Sequence, residues 1–258
     1  AGVSSEFAGV GSVLIQDLNQ RSHANIDSSE ILQHLASPDS KLNVTAQNNN
    51  HVLNIIGQVV GGSKAAFGGT FGKHNIDTLT QADITNKLNR DVQIKSNQVN
   101  VEANNASKQL NITGILAGSK EMAITGALNI NNGKDDIHAQ IKGQKQLFTD
   151  KLNLDAENKT NLSNIVAGLQ LSGDVAGGVS AAINRIEGDT KALIEQSTIL
   201  AQQNNSSTQV TSTANDEGRV RSLVSMNGIA KSGAVAASIA SNDIDKNTTN
   251  ETNQLTIN

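Results

Sequence analysis

The residues in this chain whose types could carry chemistry are five histidines, two close acidic pairs and three glycine pairs. His23, His34, His51, His74 and His138 form no H-x-x-x-H pair and do not recur at one repeat position. Ligation of zinc and similar ions needs two or more such side chains at a set spacing, so these read as exposed loop histidines. Asp135-Asp136 and Asp243-x-Asp245 come nearest to a calcium site. They lack the Gly-Gly-x-Gly-x-Asp nonapeptide that builds calcium sites in repeat proteins, and solvated carboxylates are the expectation.

The glycines at 61–62, 68–69 and 177–178 resemble phosphate-cradling loops in composition only. No Lys-Ser/Thr follows in the required place and no dinucleotide fingerprint completes itself, which leaves turns and tight packing as their purpose. The sequons Asn111-Ile112-Thr113 and Asn158-Lys159-Thr160 are what an Asn- and Thr-rich chain makes by chance. Glycoside chemistry needs paired carboxylates, whereas the acids here are scattered singly and sugar-stacking Tyr and Trp are absent. No catalytic residue, cofactor-binding residue or metal ligand is assigned, no cofactor is expected, and the chain does not read as an enzyme.

The elements that would position any of these residues are repeats. Leu42-Asn43-Val44-Thr45-Ala46-Gln47-Asn48 returns as Val99-Asn100-Val101-Glu102-Ala103-Asn104-Asn105 and as Leu152-Asn153-Leu154-Asp155-Ala156-Glu157-Asn158. Val210-Thr211-Ser212-Thr213-Ala214-Asn215-Asp216 is a weaker fourth copy, and the alanines at 46, 103, 156 and 214 give spacings of 57, 53 and 58. Strict alternation of apolar and polar residues predicts strands with one buried face. A second half-unit runs from a small-residue start to an apolar end over about 22 residues, the length of roughly one solenoid turn; Gly118 through Ile141 and Ser172 through Ile194 are examples.

Composition narrows the class. The 258 residues hold four Phe, no Trp, no Tyr, no Cys, one Pro and 32 Asn. Burial must therefore come from Ile, Val, Leu and Ala, which suits a narrow interior. Disordered chains seldom keep aliphatics in alternating register. A net charge of -4 without clustered Lys and Arg argues against a nucleic-acid partner and against a membrane surface. No run of 18 or more apolar residues marks a transmembrane helix. Lack of cysteine rules out disulfides and fits either a reducing cytosol or a surface protein exported unfolded. The chain starts in mid-pattern at Ala1 without a signal peptide and reads as part of something longer.

These features predict a parallel β-solenoid forming one domain over 1–258, with a partial repeat at 1–26 and repeats at about 27–84, 85–141, 142–194 and 195–258. Ser28 to Ala36, stopped by Pro38, is the best helical candidate, an inserted loop being the alternative, and 202–207 form a polar loop. A unit of about 57 residues would fit roughly three turns of about 19, each adding about 4.8 Å, so the chain would be a rod on the order of 60 Å long. Inward Val, Leu, Ile and Ala would make a continuous dry core, with Asn, Thr and Gln facing water. On that reading Val101→Asp breaks a turn and Asn100→Asp is nearly silent. The rival is an all-helical filament protein, but three- and four-residue apolar spacing holds only near residue 31.

The alternating motif Leu42 to Ala46, the small-residue patches Gly61-Gly62-Ser63 and Ala176-Gly177-Gly178, and the closing segments Asn75-Ile76 to Ile84 and Asn129-Ile130 to Ile141 carry a resemblance. Together they are similar to the passenger repeats of filamentous-haemagglutinin-like exoproteins, which bacteria export as autotransporters or by two-partner secretion. The resemblance covers nearly the whole chain. It implies an all-β, right-handed parallel β-helix on or beyond the bacterial outer membrane, serving adhesion, haemagglutination, biofilm or delivery of a toxic tip. The chain lacks both the amino-terminal secretion domain and a carboxy-terminal barrel or toxin domain of that family. The expected function is a structural and adhesive stalk whose partner is a receptor or glycan on a host or neighbouring cell. A toxin-delivery stalk and a carbohydrate-active β-helix enzyme are the alternatives.

Overall fold

A computed structural model describes residues 2–4, 6–33, 39–201 and 208–257. Among them no helix forms, and the chain is almost entirely strand. In chain order the strands are β1 (Gly2–Ser4), β2 (Phe7–Asp27), β3 (Ile31–Leu32), β4 (Lys41–Gly62), β5 (Ala65–Thr85), β6 (Gln93–Lys95) and β7 (Gln98–Ser119). They continue as β8 (Met122–Lys142), β9 (Gln146–Phe148), β10 (Lys151–Ser172), β11 (Val175–Leu200), β12 (Gln209–Asp216), β13 (Arg219–Ile229) and β14 (Gly233–Ile257).

All pairings are parallel. The first sheet runs β1-β4-β7-β10, with β12 and β13 end to end along the edge of β10, and the second runs β2-β5-β8-β11-β14. A narrow third row, β3-β6-β9, joins the end of β11 through Ile199↔Leu147. The protein is thus an all-β parallel solenoid in which each rung visits two long sides and one short one.

The register corrects the expected pitch. Leu42 pairs with Val99, Val99 with Leu152 and Leu152 with Val210, so one repeat is one rung and not three. Each 22-residue half-unit is a single strand and not a turn, because nothing in its alternation interrupts it until the next corner. At about 3.3 Å per residue these strands span about 70 Å. The five strands stacked in the second sheet rise only about 24 Å at about 4.8 Å each. The molecule is a broad slab where the sequence suggested a 60 Å rod.

At the corner between the long sheets the chain reverses within two residues, Ser63 and Lys64 in the second rung. A Cβ on Gly62 would stand 2.2 Å from the Ala65 carbonyl oxygen, which is why this corner takes no side chain there. Rung-to-rung bonds such as Glu121 N to Lys64 O (3.2 Å) and Val175 N to Glu121 O (2.8 Å) stack the corners.

Away from that corner the two sheets and the third row enclose a dry prism. Val44, Val101 and Leu154 stack in one column, Ala82, Ala139 and Ala192 in a second, and Ile94, Leu147 and Ile199 in a third, all buried. Burying one such Val or Leu contributes about 1.5–3 kcal/mol. The third column explains the missing helix: Ile31 pairs with Ile94 and packs against the prism, so burial overrides local helical spacing. Residues 34–38, the rest of the helical candidate, lie outside the described residues.

Toward the corner the slab is only two sheets thick and its interior is not dry, contrary to expectation. Asn111, Asn131 and Asn184 are buried, and each passes a side-chain bond to the next: Asn111 Nδ2 to Asn131 Oδ1 (2.5 Å), then Asn131 Nδ2 to Asn184 Oδ1 (2.6 Å). Stacking makes this affordable, since a buried amide is costly only when it lacks a partner.

Candidate functional site

The four described histidines sit on strands, not in loops. His74 is fully buried in the two-sheet half, where its Nδ1 accepts from Asn54 Nδ2 at 3.0 Å and its Nε2 has no partner. Burial pushes its imidazole below the ordinary 6.5. His23 lies 3.0 Å from Asp83 Oδ2 across neighbouring rungs. His138, half-buried on the outer face of β8, is held low by burial and then by Lys191. His51 is exposed on β4, and His34 falls outside the described residues. Among the described residues no group of three or more His, Asp and Glu is placed to hold a metal.

The acids depart furthest from expectation. Asp136 and Asp189 are outward and paired with lysines, Lys134 at 3.0 Å and Lys191 at 2.7 Å. Asp135 instead points inward and is buried. Its Oδ2 accepts from Thr160 Oγ1 (2.6 Å) and lies 3.2 Å from Lys246 Nζ, whose side chain is 8% exposed. Asp216 completes the group 3.6 Å from the same ammonium and accepts from Asn158 Nδ2 (3.0 Å) and Thr190 Oγ1 (2.8 Å). One cation therefore serves two inward carboxylates from different rungs. The sequence signal was a lysine at an inward position of β14, visible only once the register is known.

This cluster is built to hold the fold. The cavity beside it, lined by Gln109, Asp135 and Thr160 among others, measures about 10 Å³, which is room for at most one water. The sequon residues Asn111 and Asn158 are also fully buried and out of reach of glycosylation in the folded chain.

Acids that looked solitary come together on the outer face of the first sheet. Glu102 is the ladder partner of Asp155, and Glu157 follows two residues on, ion-paired to Lys159. Burial first, and then Glu157, raise the Asp155 carboxyl above its usual range. Beside them runs an asparagine ladder, Asn153 Nδ2 to Asn100 Oδ1 (2.9 Å) and Asn100 Nδ2 to Asn43 Oδ1 (2.7 Å).

The outer faces are polar over the prism, as expected, but aliphatic near the corner. Leu53 and Ile55 are 61% and 66% exposed on β4. On the second sheet Val13 and Ile15 of β2 and Val179 of β11 are exposed as well. Runs such as Val52-Leu53-Asn54-Ile55-Ile56, apolar on both strand faces, were the overlooked signal. On the first sheet Gly57, Gly114 and Ala167 stack into a shallow groove of about 620 Å³, edged by Val59, Leu116 and Leu169. A polar recess of about 330 Å³ lies on the second sheet among Asn75, Asn132, Lys134, Arg185 and Glu187. The glycines at 61–62 sit at a corner, those at 68–69 and 177–178 within strands, and the loop 202–207 lies outside the described residues.

In comparison with known proteins, the chain matches no protein-family model, no curated protein and no solved structure.

Proposed function

We propose that the chain is a structural and adhesive stalk segment of a large bacterial surface or secreted exoprotein of the filamentous-haemagglutinin-like kind. It would act outside the cell and carry no chemistry of its own. The observation behind this reading is that outward residues recur in register from rung to rung, as in Asn43, Asn100 and Asn153 or Ile55, Ile112 and Ile165. Such a surface offers the same contacts every 4.8 Å or so, and repetition raises avidity for a repeated ligand such as a glycan on a neighbouring cell. The test is binding of the purified chain to glycan arrays and epithelial or bacterial cells. Saturable retention that falls with Asn43→Ala/Asn100→Ala/Asn153→Ala supports adhesion, and none on any surface contradicts it.

A toxin-delivery stalk differs only in what the full reading frame encodes downstream, and that sequence decides between them. The carbohydrate-active enzyme reading has one supporting observation, the Glu102, Asp155 and Glu157 cluster with its raised Asp155 carboxyl. Turnover of polyuronates that is lost in Asp155→Asn would replace the stalk reading.

A further inference from the structure

We propose that the outer face of the first sheet is a self-association surface, on which a second copy of this chain packs side by side with its solenoid axis parallel to the first.

The starting point is a set of glycines that the chain's own packing does not require. A Cβ built on Gly57, Gly114 or Gly118 meets nothing within 4 Å, and none of the three has a positive φ. Glycine inside a strand sacrifices both backbone entropy and side-chain packing, yet the fold leaves these positions open. They lie in the aliphatic half of the face, in columns two residues apart. The column of Ile55 and Ile112 is a ridge, that of Gly57 and Gly114 a groove, that of Val59 and Leu116 a second ridge, and that of Gly61 and Gly118 a second groove.

This order is self-complementary under one rotation. A two-fold axis parallel to the solenoid axis, placed between the Gly57 and Val59 columns, reverses strand direction and keeps rung order. It lays Val59 and Leu116 of one copy over Gly57 and Gly114 of the other. The same rotation lays Ile55 and Ile112 over Gly61 and Gly118. Moving the axis to lie between the Ile55 and Gly57 columns would drive the Val59 ridge against Leu53 and Leu110. Turning it along the strands would stack every ridge on itself. The interface is thus isologous, with ridges filling grooves as in dry sheet-on-sheet contacts. The fit is closest over β4 and β7 and loosens at β10, where Ala167 and Leu171 replace glycine.

Area and charge favour a second copy as the occupant. The rotation overlaps the columns from 55 to 61 over four rungs, a stripe of about 23 Å by 19 Å, so a dimer would bury about 900 Å² in total, the size of a weak, reversible association. The overlapped columns from 55 to 61 carry no charged side chain, so the two stripes meet without like-charge repulsion.

Sedimentation velocity on the chain over a wide concentration range tests the proposal. The expected result is a reversible dimer. Gly114→Val fills the groove and should weaken dimerisation at least about tenfold while circular dichroism and the melting temperature hold. Gly126→Val, equally open but on the outer face of the second sheet, should leave the dimer intact. A mixture of Ala167→Cys and Leu169→Cys chains should crosslink through a short thiol reagent where each alone does not. A wild-type chain that stays monomeric throughout, a Gly114→Val chain that dimerises normally, or a dimer lost in Gly126→Val would each overturn it.

Discussion

Lys246 and Asp135 form an ion pair at 3.2 Å although their strands, β14 and β8, never pair. The residue between them is Gly188 of β11, the ladder partner of Lys246. Its φ of +141 and a hypothetical Cβ only 1.9 Å from the Asp135 carbonyl oxygen exclude any side chain. There the β11–β8 ladder breaks, between Glu187↔Lys134 and Thr190↔Ile137. The lysine spans two rungs across this gap to meet Asp135 and Asp216.

Removing the cation strands two buried carboxylates. Lys246→Met should cost about 3–5 kcal/mol in urea unfolding at neutral pH, as expected for a broken buried pair. A loss below about 1 kcal/mol would mean that the cluster is solvated and contributes no more than a surface pair.

Val101 and Asn100 are neighbours with opposite surroundings. Val101 is fully buried in the prism, and Val101→Asp should destabilise by more than about 4 kcal/mol. Asn100→Asp is not silent in this structure, because Asn100 donates to Asn43 and accepts from Asn153. A loss of about 1 kcal/mol is expected. Thermal melts that coincide for the two variants would place the strand in the wrong register.

The strands themselves were legible, because alternation along Leu42 to Ala46 and its copies reports one buried face directly. The pitch was not. Nothing local says whether the strand after Val44 turns within a few residues or runs on to Gly62, and only the spacing from Leu42 to Val99 holds that information. The polar interior was hidden for a related reason: an asparagine such as Asn111 reads as outward until its rung neighbours are known to satisfy it. For Ile31, helical spacing was a weaker influence than a waiting column of isoleucines.

Interior amides should behave as structural groups. Asn131→Leu adds apolar volume but removes the acceptor for Asn111 and the donor to Asn184. We expect a loss of about 2–3 kcal/mol, measured by chemical denaturation. A neutral or stabilised variant would show that the ladder contributes nothing.

His74 makes stability depend on pH. Burial lowers its folded-state value below 6.5, so the unfolded chain binds the proton more readily. The contribution is fully present above the unfolded value and is lost as pH falls through the window between the two values. The melting temperature should therefore drop as pH falls below about 6.5, and His74→Gln should flatten that drop. An unchanged slope in the variant would mean that other groups govern the dependence.

The equation of one repeat with one rung is tested most directly by a distance. Thr45, Glu102, Asp155 and Thr213 are successive ladder partners, and the chain has no cysteine of its own. Spin labels on Thr45→Cys/Thr213→Cys should lie about 15 Å apart at the backbone, three rungs of about 4.8 Å each. A separation near 43 Å, nine rungs by the same spacing, would restore the short-turn rod and contradict the slab.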